Sequence, residues 1–135
     1  MEKKILLKRV FTLVVFILIA NILAGKFFWY SSIWYFDMIM HFLGGLWLSF
    51  VLVYVYLFVL KKEIKSYVQM AFFIIISALI IGILWEIFEV VVSALTTSDK
   101  FNVLDTASDI FFDLSGAIAG SVYFLTKMDN IKLKW

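Results

Sequence analysis

The chain has 135 residues, 64% of them hydrophobic and 16% charged, with a mean hydropathy of +1.03 and a formal net charge of +2. That is a membrane composition, and the length allows one domain with no connection long enough for a separate soluble one. Cysteine and proline are both absent, which excludes disulfides, thiolate metal sites and cysteine nucleophiles.

Lys3, Lys4, Lys8 and Arg9 precede the apolar run Val10 to Ala24. Because further spans follow, this run reads as a first transmembrane helix rather than a signal peptide, with Ile5 to Leu7 extending it while Lys8 and Arg9 snorkel. Next, seven of the ten residues from Phe27 to Phe36 are aromatic. Tryptophan and tyrosine favour the headgroup layer, so the stretch is expected to lie along the bilayer surface.

Met38 to Leu60 gives a second span, closed by Lys61, Lys62, Glu63 and Lys65. Ser66 to Ser98 gives a third, interrupted only by Glu86 and Glu89. After a polar turn from Thr96 to Lys100, Asn102 or Asp105 can cap a fourth helix that ends before Lys127. The expected fold is all-α, a single four-helix transmembrane domain over residues 1–135 with an interfacial aromatic segment between its first two spans. No Gly/Ser linker, low-complexity tract or heptad array interrupts it.

Ten of the twelve lysines and arginines fall at the N-terminus, in the loop around Lys61 to Lys65 and at the C-terminus, leaving Lys26 and Lys100 on the other side. By the positive-inside rule both termini are cytoplasmic. Glu2, Glu63, Asp99 and Asp129 then lie in tails or loops. Asp37, Glu86, Glu89, Asp105, Asp109 and Asp113, together with the single histidine, His41, all fall in the outer half of the membrane.

Spacing within each helix agrees with this convergence. Asp37 and His41 are four apart, Glu86 and Glu89 three apart, and the three aspartates four apart, or about 6 Å per step, so each set shares one face. The second and fourth helices also echo one another: Asp37-x-x-x-His41-x-x-Gly44-Gly45 can be laid on Asp109-x-x-x-Asp113-x-x-Gly116-Ala117. Both run from outside to inside, which suggests a duplicated hairpin with a site between its halves. The Gly116-x-x-x-Gly120 pair further along permits close helix approach.

An ionised aspartate at mid-bilayer costs about 2.5–3.5 kcal/mol even on the lenient insertion scale, and six carboxylates repel one another. Protons or cations must compensate. Oxygen ligands with one imidazole suit Mg, Mn or Ca, and one or two ions sharing bridging carboxylates would equally suit Zn or Fe. Asp37, His41, Glu86, Asp109 and Asp113 are the expected metal ligands, with Glu89 and Asp105 as further ligands, as supports of the ligands, or as the catalytic general base. A single histidine and scattered serines make no Ser/His/Asp triad, and no phosphate loop or nucleic-acid signature is present.

The pattern Asp37-x-x-x-His41, Glu86-x-x-Glu89 and Asp109-x-x-x-Asp113-x-x-Gly116-x-x-x-Gly120 resembles small bacterial membrane proteins of the VanZ-like and YjdF-like types. The VanZ-like pattern usually has Gln at the position of Glu89 and Asn at that of Asp113. This site is therefore more acidic, closer to the YjdF-like version in Glu86-x-x-Glu89 and in Asp105-Thr106. The resemblance implies a helical protein of the bacterial inner membrane with a shared polar site. VanZ-like proteins are associated with the cell envelope and low-level teicoplanin resistance; the YjdF-like group has no established activity.

Three functional expectations follow. The first is a membrane-embedded, metal-binding protein of the cell envelope that acts as a hydrolase or transferase on a lipid-linked substrate at the outer leaflet, with no nucleic-acid partner. The second is a VanZ-like module that binds lipid or glycopeptide without turnover. The third is a proton-coupled or cation transporter, disfavoured because the inner halves of the helices lack charge, so that a homo-oligomer would have to complete the pathway.

Overall fold

A computed structural model describes residues 3–64, 66–96 and 102–129. Glu2, Lys65, Asp99, Lys100, Lys132 and Lys134, with the 97–101 turn, lie outside the described residues. Among those described there are helices and no strands: α1 (Lys3–Phe27), α2 (Trp29–Ser32), α3 (Phe36–Tyr54), α4 (Tyr67–Thr96) and α5 (Val103–Asp129).

α1 starts seven residues before the apolar run, because lysine and leucine are good helix formers, and the Lys3 ammonium sits over the Tyr54 ring. It ends where Phe28 turns left-handed at φ 55°, a conformation uncommon for a bulky residue. The Ser31 and Ser32 hydroxyls donate to the Phe28 carbonyl at 3.0 and 2.8 Å and hold that turn. The aromatic stretch is divided by it: Phe27 closes α1, Trp29 and Tyr30 sit on the single turn of α2, and Phe36 opens α3. Trp29 and Tyr30 both meet the Phe36 ring edge-on.

α3 continues into a π-helical turn, Val55–Val59, and stops at Lys61, which is left-handed at φ 49°. α5 is capped by Asn102, whose side-chain oxygen accepts the Leu104 N–H at 3.2 Å, satisfying one of the free amides of the first turn.

Among the described residues, three helices are long and apolar enough to cross a membrane: α1, α3 with its π-helical turn (Phe36–Val59), and α4. α5 is as long, at 27 residues, but Asp105, Asp109 and Asp113 break its apolar run. The bundle has the inside-out polarity of a protein solvated by hydrocarbon. His41, Ser49, Glu86, Asp109 and Ser121 are buried, while Phe11, Phe16, Ile22, Phe72, Leu84 and Ile118 are exposed. In water this surface would form apolar patches far beyond those of a soluble monomer.

The tightest packing joins α3 to α5. Phe42 meets Gly116 and Ser49 meets Gly120, so the two helices run parallel. A Cβ on Gly45 would overlap the Asp113 carbonyl and one on Gly116 the Phe42 carbonyl, the backbone-to-backbone approach that small residues permit. The register of these contacts is close to 72 residues, the offset between Asp37 and Asp109 in the internal echo. α4 packs on α5 and α3, and α1 on α3. The end of the bundle carrying the lysines is filled by a core of Leu6, Leu52, Val53, Tyr56, Met70, Ile74 and Phe124. The opposite end is filled by charged side chains.

Candidate metal centre

His41 is the hub of that end. It stands one turn into α3, and the close α3/α5 contact carries the first half of α5 directly against it. Its Nε2 lies 3.8 Å from Asp37 Oδ1, four residues earlier on α3, and 3.7 Å from Asp109 Oδ1. Its Nδ1 lies 3.4 Å from Asp113 Oδ1. α4 adds the remaining wall. Its buried residues Met70, Ile74, Ala78, Gly82 and Glu86 recur every four positions, a stripe that delivers a carboxylate to the cluster one turn after a glycine.

Gly82 is what lets the site close. A Cβ there would lie 3.2 Å from Asp113 Oδ2, while the other oxygen, Oδ1, faces Gly44 of α3. The Asp113 carboxylate is thus held in a slot between glycines of two helices, with the imidazole of His41 beside it.

Two groups of donors have the mutual proximity of metal ligands: Asp37, His41 and Asp109, and His41, Glu86 and Glu89, with the atoms in each group within 4.8 Å of one another. His41 belongs to both. The 3.7 and 3.8 Å separations exceed the about 2.7–2.9 Å of a charge-assisted hydrogen bond. Donors around a cation bound at about 2.0–2.6 Å stand roughly 3–5 Å apart, which matches.

Burial sharpens the point. Glu86 and Asp109 are each 5% exposed and His41 9%, and Glu86 Oε1 is buried with no hydrogen-bond partner. A buried acceptor left without a partner costs about 1–3 kcal/mol, and more when charged. A cation between these helices would remove that cost.

Of the seven residues expected at the site, six meet around His41 or are His41 itself. Asp105 is exposed in the first turn of α5, outside both donor groups. Glu89, expected as a proton acceptor, falls within the second donor group and also borders a cavity of about 510 Å³. Asp37, His41 and Asp113 border the same cavity, whereas Glu86 and Asp109 lie behind them. The cluster therefore has a buried back and an open front. Spacing alone overlooked Gly82, Tyr30 and Trp85. Gly82 is legible as the only glycine of α4, four residues before Glu86; Tyr30 reaches the cavity through the Phe28 turn.

Tyr30 is tied to α1 by donating from its hydroxyl to Asn21 Oδ1 at 2.8 Å. Burial, and then the Asp37 and Glu89 carboxylates, push this hydroxyl above the ordinary tyrosine range. It stays protonated beside the acids, its one O–H proton committed to Asn21.

Comparison with curated proteins and with solved structures gives no match. A family described as predicted membrane protein (DUF2238) matches residues 1–130, nearly the whole chain. The chain belongs to that family of small membrane proteins.

Proposed function

We propose that this is a membrane-embedded divalent-cation protein of the bacterial cell envelope whose His41-centred cluster carries out hydrolysis or transfer on a lipid-linked substrate. The observation that carries the reading is Glu86: a carboxylate 95% buried, with an unpartnered oxygen, inside a set of donors spaced as ligands are. In this reading α5 crosses the bilayer with α1, α3 and α4, its Asp109 and Asp113 shielded by α3 and α4. The lysine-rich end, with both termini, faces the cytoplasm by the positive-inside rule. The cluster then opens to the outer leaflet of the inner membrane.

The buried back, Glu86 and Asp109, would hold one or two ions together with His41, and Asp37 and Asp113 would complete the set from the cavity side, leaving Glu89 beside it. Oxygen donors predominate, which favours Mg, Mn or Ca, and the shared imidazole keeps Zn and Fe within the chemistry of the set. A bound cation polarises a phosphoryl or ester oxygen and lowers the pKa of an adjacent water. Glu89, exposed on the cavity side, takes the proton of that water as its oxygen bonds to the phosphorus or carbonyl carbon. As the bond to the leaving oxygen breaks, Glu89 returns the proton to it. In transfer, an acceptor hydroxyl replaces the water. Asp105 serves at the rim, where it can relay protons to the outside.

Elemental analysis of protein purified without chelators tests the reading. The expected result is at least one divalent ion per chain, lost in Glu86→Gln and in His41→Ala. No stoichiometric metal as purified, and none after soaking in each of the five cations, would overturn it.

A further inference from the structure

The cavity in front of the cluster is a cleft in the side of the bundle. Among the described residues α1 packs along α3 and α2, and α4 along α5 and α3, but α1 and α4 share no extended contact. α3 floors the space between them. Leu18 of α1 and Trp85 of α4 both line the cavity yet are 55% and 51% exposed, which puts a mouth on the lateral face of the bundle, between α1 and α4.

Its polarity is graded along its length. Asn21, Tyr30, Asp37 and Glu89 line one end, and Val14 and Leu48 the other. Asp37 and Leu48 are eleven residues apart on α3, or about 16 Å at ~1.5 Å per residue. Half of a ~30 Å hydrocarbon core is about 15 Å. The cleft is one leaflet deep, polar where headgroups lie and apolar where chains lie.

Volume limits the occupant. A helix about 10 Å wide and 16 Å long fills roughly 1,200 Å³, more than twice the about 510 Å³ present, so a helix from a second copy does not fit. A water-soluble ligand would leave Val14, Ile17 and Leu48 without partners. A single extended hydrocarbon chain, whose carbons contact their neighbours at about 3.5–4.0 Å, needs only roughly 300 Å³ over this length and leaves room for a polar head.

Deepening the reading above, we propose that the α1/α4 cleft seats one hydrocarbon chain of a bilayer lipid that enters sideways from the leaflet, its phosphate or ester head stopping at His41. The substrate class is thereby a membrane-resident amphiphile, and its specificity is divided between chain, read by α1, α3 and α4, and head, read by the cluster.

Trp47 is the reporter. It lines the cleft, half-buried, and its indole N–H donates to the Val10 carbonyl at 3.1 Å. Gly44 is the plug: it lines the cleft, and a Cβ there meets only Asp113 Oδ1, at an ordinary 3.8 Å. The experiment places full-length protein with Trp47 as its single tryptophan in vesicles of phosphatidylcholine brominated along one acyl chain. Trp47 fluorescence is expected to be strongly quenched, and Gly44→Leu or, independently, Leu18→Phe should remove most of that quenching. Quenching equal in the parent and both variants, or absent in the parent, would overturn the proposal. Metal content is read on the same samples: a metal-bearing parent whose quenching ignores both plugs fails the chain site alone, whereas a metal-free parent fails the reading on which it rests.

Discussion

Gly44 and Gly45 are neighbours in sequence but should respond to alanine with opposite signs. A Cβ on Gly44 meets Asp113 Oδ1 at 3.8 Å, so Gly44→Ala keeps its contacts and gains the better helix propensity, up to about 1 kcal/mol. A Cβ on Gly45 would lie 2.7 Å from the Asp113 carbonyl carbon and 2.9 Å from its Cα. Carbon atoms pack at about 3.5–4.0 Å, and these are backbone atoms with no rotamer to change, so α3 and α5 must separate by about 1 Å. Overpacking of this kind costs about 1–3 kcal/mol, which set against the propensity gain leaves Gly45→Ala up to about 2 kcal/mol less stable than the parent. The same separation pulls Asp113 from His41 Nδ1, at 3.4 Å in the parent, so metal affinity should fall as well. Unfolding in mixed micelles by SDS titration, followed by far-ultraviolet circular dichroism with and without cation, reads both effects. Equal stabilities for the two variants, or a more damaging substitution at Gly44, would refute the parallel α3/α5 register on which the site is built.

Other perturbations separate charge, solvation and orientation. Glu86→Gln removes a buried unpartnered carboxylate oxygen, so in EDTA its melting temperature should rise relative to the parent. The metal-dependent stabilisation, about 2.7 kcal/mol at a hundredfold excess over Kd, should vanish; a parent-like metal response would exclude Glu86 as a ligand. Because the fold favours the protonated Tyr30 hydroxyl, stability should decline as pH rises through the ordinary tyrosine value of about 10. Tyr30→Phe, and in part Asp37→Asn, should flatten that decline, and an unchanged slope in Tyr30→Phe would contradict it. Tyr30→Phe also removes the bond to Asn21, at a cost of about 0.5–1.5 kcal/mol in neutral solution. Since the chain has no cysteine, Ser31→Cys and Ser66→Cys give clean topology probes: an impermeant maleimide added to intact spheroplasts should label the first and spare the second, and the reverse pattern would invert the assigned orientation.

Much of the cluster was legible because helical spacing is a strong geometric constraint. Asp37 with His41, and Asp109 with Asp113, could only share a face at four-residue intervals, and the echo between Asp37 and Asp109 carried the register in which α3 and α5 pack. Depth was not legible. Glu86 and Glu89 are three apart and share a side of α4, yet Glu86 is buried and Glu89 exposed; only the four-residue stripe from Met70 through Gly82 separates them. Asp105 continues the aspartate stripe, but in the first turn of α5 it stands at the rim. The Phe28 turn was hidden as well, since a left-handed phenylalanine has no sequence signature, and without it Tyr30 would not reach Asn21. In α5 two of the three aspartates that lower its hydropathy, Asp109 and Asp113, are the ones its neighbours enclose, while Asp105 stays exposed.

The central claim is a cation held by His41 together with carboxylates from α3, α4 and α5. X-ray absorption at the metal edge of protein loaded with one equivalent of Mn or Zn tests it most directly. The account predicts, for the parent, a first shell of oxygens with one imidazole nitrogen at about 2.0–2.2 Å, replaced by the spectrum of the free hydrated ion in His41→Ala and in Glu86→Gln. An all-water shell in the parent, or a spectrum unchanged by either substitution, would contradict it.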